Sequence, residues 1–494
     1  VTAERGGIPN DLDGLATRID AASDQGDRDT LVQLDECCAE HLRINQGART
    51  SVLWYYRANI QAALRPGQDA LNWSWRQPHR EREILFLRRA RDDAGFEKLN
   101  WIVRAQITTN LGNSLNHLGR SVEALGLYDT VLAQVPRFAM ALGNRGKARM
   151  DLARALHDDG HAGLALLGAH DDLRTAAGTD AIWDGPYVGV REQFLAISTR
   201  ISTMIDVSAI RSFDLDSYSL GRSKRERAYR QWALNQQLFL NPLNVLGRNA
   251  IAATDRFGLP DYRSGIGEPP QFIAWFNQLK QEYAAARLLL FEAEEGKGRH
   301  FADQELMLVD TLDYSAFGIG LEKLRLAFRA AYGLLDKVAG FINAYFQLGG
   351  KPERVNLRNV WLAKDGRSIR PEFAEQPNWS LRGLYWLAFD IVGSEPAEPD
   401  AIAPEAVELN RLRNALEHRC LILREFDAGH PSGVLETCTV DTFRERTFTM
   451  IRLARASLIY LSLAVGREEQ LRSESDRGLA MPMTLPTYAG RTGL

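Results

Sequence analysis

Apolar side chains recur at three- to four-residue spacing in run after run of this chain, which predicts an all-α protein. After a loose arm at 1–10, where Gly6, Gly7 and Pro9 discourage a helix, the spacing gives helix after helix from Asp11 to about Arg200. Helices are expected at 11–25, 28–44, 51–64, 80–93 and 191–206, with turn formers over 176–190. A linker near 207–224 marks a boundary, and the Ser-Lys-Arg-Glu-Arg run at 223–227 opens a second region. There the expected helices are 226–240, 271–293, 303–313, 320–348, 380–392, 404–425 and 441–466, with Asn241-Pro242 stopping the first. Residues 255–270 read as a Gly/Pro-rich loop, 349–379 as a long insertion with a short hairpin, 393–403 as a linker and 427–440 as a loop. The tail 471–494 has few large apolar residues and reads as flexible.

Small and large residues in the first half fall into phase. Over 105–138, Leu111-Gly112, Leu115, Gly119, Ala124, Tyr128 and Pro136 stand where the tetratricopeptide repeat, about 34 residues long, has its packing residues. Gly112 and Ala124 allow close helix approach, Tyr128 fills the groove between units, and Pro136 ends the second helix. Asn144-Arg145-Gly146 restarts the phase, with Gly160 and Ala165 in the places of Gly119 and Ala124. Residues 11–206 are therefore expected to form a tetratricopeptide-like helical array, whose concave face suits a peptide, protein or RNA. Trp54, Tyr55, Tyr56, Trp73 and Trp75 read as core ahead of a base-stacking surface, and helix 80–93 reads as having a solvated basic face.

Candidate chemistry concentrates in 404–423, PEAVELNRLRNALEHRCLIL. Pro404 suits a first helical position and Glu405 complements the helix N-terminus. Val407, Leu409, Leu412, Leu416, Cys420 and Leu423 supply an apolar face, and Arg411, Arg413, Asn414, Glu417, His418 and Arg419 crowd the other side. Arg411, Asn414 and His418 share one stripe, whereas Arg413 is rotated from His418 by about 140° and joins them only through its length. Guanidinium, amide and imidazole together suit the handling of phosphate. The segment Arg413-Asn414-x-x-x-His418 resembles the R-(N/H/D)-x-x-x-H signature of the HEPN superfamily, all-α domains rich in metal-independent ribonucleases. The runs 231–247 and 321–346 resemble one prokaryotic HEPN family fused to helical repeats, so the resemblance covers about 225–470. Two other Arg/His spacings, Arg154 with His161 and Arg424 with His430, read as chance.

The resemblance implies a catalytic set of Arg413, Asn414 and His418, with Arg411 as an alternative or auxiliary phosphate clamp. His418 can move protons near neutral pH, Arg413 can hold a phosphate and its developing charge, and Asn414 can orient either. One motif supplies one histidine, so the resemblance implies a homodimer with a composite cleft. RNA is the implied substrate, through attack by its 2′-hydroxyl, with no metal and no cofactor. It also implies a toxin–antitoxin, antiviral or stress setting, with a partner or regulator in the repeat groove. The alternative is a non-catalytic scaffold that binds protein or nucleotide.

Composition adds limits. A formal net charge of −3 gives no global attraction to nucleic acid, so RNA binding needs a local patch. Cys37, Cys38, Cys420 and Cys438 form neither a zinc spacing nor a disulfide framework, which fits a reducing cytoplasm. No signal peptide and no apolar run of transmembrane length is read, so no membrane is expected. His157, Asp158, Asp159 and His161 read as a turn between repeats ahead of a metal site. Glu294-Glu295-Gly296-Lys297-Gly298 lacks the phosphate-loop pattern and reads as a helix end.

Overall fold

Small residues set the distances between the first helices. The computed structural model describes residues 12–44, 48–65, 74–185, 187–263, 269–296, 300–374, 377–392, 404–427 and 435–475. Helices α1 (Leu12–Gln25), α2 (Arg28–Ile44), α3 (Ala48–Ala63), α4 (Pro78–Asp92), α5 (Trp101–His117), α6 (Ser121–Gln134), α7 (Ala139–Ala155), α8 (Asp159–Ala176) and α9 (Val190–Met204) pack in order, each on the next. A Cβ on Gly112 would come within 2.7 Å of the Tyr128 ring, so only glycine lets α5 and α6 close over that side chain. Tyr128 is buried there and its hydroxyl donates to Asn113 Oδ1 at 2.8 Å. Gly146 is pressed against Leu173 in the same way, and Ala124 and Ala165 have no exposed surface.

The short helix α10 (Val207–Arg211) and the turns after it occupy the expected boundary. Then follow α11 (Lys224–Asn235), α12 (Leu243–Leu246), α13 (Gln271–Glu295), α14 (Ile319–Tyr345), α15 (Pro371–Ala374), α16 (Trp379–Val392), α17 (Pro404–His418) and α18 (Val440–Ser475). Strands β1 (Leu421–Arg424) and β2 (Glu436–Thr439) pair in parallel, from Leu421 opposite Glu436 to Arg424 opposite Thr439. The architecture is all-α, with this one small sheet among the described residues.

Several expected elements differ. No α-helix forms over 303–313. The carboxylates of Asp310 and Asp313 instead accept from the N–H groups of Leu312 (2.8 Å) and Ser315 (3.3 Å), a local bonding that competes with the helix. Leu312 and Tyr314 take positive φ, and the chain then lies along β1, where Ala316 N–H reaches the Leu423 carbonyl at 2.8 Å. The motif helix ends at His418 rather than 425, because Leu421-Ile422-Leu423 becomes β1; a short apolar run fits helix or strand by pattern alone. The expected loop 427–440 contains β2, and the last helix continues beyond 466 to Ser475.

That last helix also corrects the expectation about apolar runs. Over Val440–Arg472 it is long and apolar enough to span a membrane, but 83% of its most apolar window is buried inside the protein, as the central helix of the bundle. The helix expected to show a solvated basic face, α4, is a core element. Arg80, Glu81 and Glu83 are buried with Ile84, Leu85, Phe86 and Leu87, and Ser114 Oγ bridges Arg80 (3.4 Å) and Glu83 (2.7 Å). Trp75 is buried among Trp361, Phe373 and Tyr385, so the 349–379 insertion anchors on the first half. Its hairpin is present as a bridge between Leu362 and Ile369. Trp73, the linker 393–403, His430 and most of the tail lie outside the described residues.

One hydrophobic core runs from Tyr55 in α3 to Val465 in α18 and so joins both halves. At its centre Asp390 of α16 takes both guanidinium nitrogens of Arg88 at 2.7 Å, and Arg120 binds the same carboxylate while also holding Glu123 at 2.8 Å. Beside them Gly119 and Gly383 let the α5–α6 turn meet α16 backbone to backbone; a Cβ on either would collide with the other chain segment. Val122 N–H donates to Tyr460 Oη at 2.9 Å, and Trp379 Nε1–H to the Asn116 carbonyl at 3.1 Å.

Burial alone pushes the Asp390 carboxyl up, but Arg120 and Arg88 outweigh it and hold it below the usual carboxylate value. Its stabilising contribution is therefore complete above about pH 4, the unfolded value, and is lost as pH falls through the lower folded value. In urea unfolding at neutral pH, Asp390→Asn should cost about 3–5 kcal/mol, because two buried guanidiniums lose their shared anion. The gap between variant and parent should narrow below about pH 4. Gly383→Ala should cost about 1–3 kcal/mol through overpacking, with no such pH dependence.

Candidate functional site

Helix α17 buries Ala406, Leu409, Leu412 and Ala415, a stripe stepping by three, against α16, α14 and α4. Val407, expected on the apolar face, is 71% exposed, and Cys420 is exposed beyond the helix end. Leu423 is buried as expected, but from β1.

The opposite side of α17 carries the candidate residues. Arg413 is half-buried; its guanidinium lies 5.5 Å from the centre of the Tyr332 ring and donates to Asn414 Oδ1 at 3.0 Å. Asn414 in turn donates to Asn410 Oδ1 at 3.3 Å. His418 is exposed in the last turn and makes no hydrogen bond among the described residues. Next to it, Glu417 is gripped by Arg329 of α14 at 3.0 and 3.3 Å. That bond to Arg329, helped by the charges of Arg329, Arg413 and His418, holds the Glu417 carboxyl below its ordinary value against a small effect of burial.

Arg411 is engaged elsewhere: it pairs with Glu436 of β2 at 2.7 Å, and Arg419 reaches the other oxygen of that carboxylate at 3.5 Å. The structure therefore brings Arg413 and Asn414 into contact, sets His418 one turn beyond, and ties Arg411 to the sheet. Sequence reasoning did not find Tyr332, Arg329 or Glu436. A signal for the first two was present, since Glu322, Arg325, Arg329, Tyr332 and Asp336 form one polar stripe along α14. Each has a partner there, beginning with Glu322, which pairs with Arg325. Arg325 donates to the Leu421 carbonyl at 3.1 Å, Arg329 holds Glu417, Tyr332 seats Arg413, and Asp336 accepts from Leu357 N–H at 3.3 Å. Burial pushes the Tyr332 hydroxyl above its ordinary pKa, against the opposing charge of Arg413.

The His157–His161 cluster is structural. Asp158 caps α8 by accepting from His161 N–H at 2.7 Å, and His157 stacks on Phe257 and bonds Ser462 Oγ at 3.1 Å. Among the described residues, no group of three or more His, Cys, Asp or Glu is placed to hold a metal ion.

Residues 264–468 match the family described as LA2681-like HEPN. That stretch holds α13 to α17, both strands and most of α18, so it contains the motif helix and the α14 stripe facing it; the match supports the resemblance to the HEPN superfamily. No curated protein and no solved structure matches the chain.

The two sides of α17 should answer differently to mutation. Glu417→Gln removes a solvent-screened ion pair and should shift unfolding by less than about 1 kcal/mol. Leu412→Ala, on the buried side, should cost about 2–5 kcal/mol in the same urea titration.

Proposed function

We propose that this protein is an endoribonuclease that cuts RNA without a metal ion, at a composite site built from Arg413, Asn414 and His418 of two copies. The observation that carries this reading is the state of the motif side chains. Arg413 rests on an aromatic face, not in an ion pair among the described residues, and His418 is open to solvent. A guanidinium held on Tyr332 keeps most of its donors for an incoming phosphate. The nearby Glu417 is neutralised by Arg329, so its carboxylate repels a phosphate less than a bare one would.

The chemistry follows from these groups. His418 takes the proton of the ribose 2′-hydroxyl as its oxygen attacks the adjacent phosphorus. The P–O5′ bond then breaks, and the leaving oxygen receives a proton from His418 of the second copy. Arg413 and Asn414 hold the non-bridging oxygens, whose charge grows in the transition state. The products are a 2′,3′-cyclic phosphate and a free 5′-hydroxyl. Dependence on the 2′-hydroxyl makes RNA, not DNA, the substrate. In this reading the tetratricopeptide-like first half senses a signal, and the enzyme acts as a toxin, stress or antiviral effector.

A second reading is a binding scaffold without catalysis. It is favoured by the openness of the motif surface in a single chain, where Arg413 and His418 stand without an enclosing wall.

The test is cleavage of total RNA in EDTA by the parent, His418→Ala and Arg413→Ala, all checked as dimers. The parent should cut, and each variant should lose about 10²–10³-fold. An inactive parent that still dimerises would favour the scaffold, and cutting that survives both substitutions would remove this stretch from the mechanism.

A further inference from the structure

A cleft of about 1230 Å³ lies between helices α4 to α7 of the first half and α12, α16, α17 and α18 of the second. Its lining carries eight arginines against four carboxylates, an excess of four positive charges in a chain whose net charge is −3. Part of that charge is matched. Arg88 and Arg120 share Asp390, Arg145 is held by Asp129 at 2.7 Å and Asp172 at 2.6 Å, and Arg149 reaches Asp172 at 2.8 Å.

Four cations are not matched in this way. Arg455 is 3% exposed, yet its guanidinium donates only to the backbone carbonyls of Phe239 (2.7 Å) and Asn241 (3.4 Å). Burial drives its pKa down to about 10, outweighing the opposing influence of Tyr283 and Asp255. Arg452 donates to the neutral Gln236 at 3.0 Å, and Arg91 and Arg248 form no ion pair among the described residues. The same lining also holds Leu111, Leu115, Leu127, Leu132, Val245 and Leu409.

Like charges around a void repel, and a buried one without a counter-ion is costly; a bound anion relieves both. A lining of cations and leucines calls for a ligand with both an anionic part and a flat or apolar part. The volume exceeds the roughly 300–1,000 Å³ that suffices for a drug-sized molecule. A single-stranded nucleic acid would instead want a track of exposed cations and stacking rings, whereas Arg455 can be reached only from inside the cleft.

We infer that this cleft binds a phosphorylated small molecule of nucleotide size, its phosphates held by Arg91, Arg248, Arg452 and Arg455 and its apolar part against the leucines of the lining. The bound molecule touches both halves of the chain at once. It also touches the motif helix, because Leu409 lies nine residues before His418, about 13 Å along the same axis. The site stands apart from the ribonuclease reading, since occupancy is measured without any cleavage.

The test is calorimetric titration of the full chain with ATP in EDTA, with adenosine as the uncharged comparison. A labelled 20-nucleotide single-stranded RNA is followed in parallel by anisotropy. Saturable ATP binding is expected, at least tenfold weaker in Arg91→Ala/Arg248→Ala, at least tenfold weaker for adenosine, and unchanged by His418→Ala. A second variant keeps the test independent of charge: a Cβ on Gly126, at the cleft, meets nothing within 4 Å, so Gly126→Phe should fill the space and abolish binding without disturbing the fold. ATP heats that do not saturate, or that survive both the double variant and Gly126→Phe, overturn the assignment. RNA binding that needs Arg91 and Arg248 and is not displaced by ATP overturns it in favour of an RNA track.

Discussion

Asp390 is one carboxylate answering two guanidiniums, one from α4 and one from the α5–α6 turn of the first half, and the rest of the molecule is arranged around that junction. Burying three charges is expensive unless each finds its donors or acceptors, and here they do: Arg88 binds in bidentate fashion and Arg120 spans Asp390 and Glu123. The arrangement tolerates little displacement, because Gly119 and Gly383 have already brought the backbones into contact. It therefore sets where α16 lies, and α16 carries both α17 and α18 on its surface. The candidate active side chains inherit their position from an ion pair formed with the other half of the chain.

The same junction explains why the two arginine-rich regions differ in character. Around Asp390 the guanidiniums are mostly spoken for, and the excess collects on the cleft next to it. On α17 the pairing is selective. Glu436 takes Arg411 and Arg419, Arg329 takes Glu417, and Arg413 is left on a ring with His418 beside it in water. A surface that merely solvated its charges would have no need of this division of partners.

Periodicity carried most of the fold. The helices at 28–44, 271–293 and 380–392 stand within a few residues of their expected ends. The failures share a cause. Leu421-Ile422-Leu423 reads equally as helix or strand, and only Glu436–Thr439, twelve residues on, decides for strand. Residues 303–313 have a helix's composition, but Asp310 and Asp313 bond their own neighbours first. The basic appearance of α4 concealed a core helix whose Arg80 and Glu83 meet Ser114 and whose Arg88 meets Asp390. At the candidate site the chemistry-bearing residues were legible as types and spacing. Their partners were not, because Tyr332, Arg329 and Glu436 lie at other places in the chain and meet α17 only through tertiary packing.

The small sheet has a further effect. Only Arg419 and Cys420 separate the motif helix from β1, and no residue separates β2 from α18. The two helices are thus the ends of one hydrogen-bonded ladder. A parallel ladder that must keep the same side chains inward can be reset only by two residues at a time, about 6.6 Å. The imidazole of His418 therefore cannot glide along the core helix by small amounts. It keeps its notch or jumps to the next, and any finer adjustment falls to the Arg419–Cys420 joint, a ratchet with a single flexible tooth.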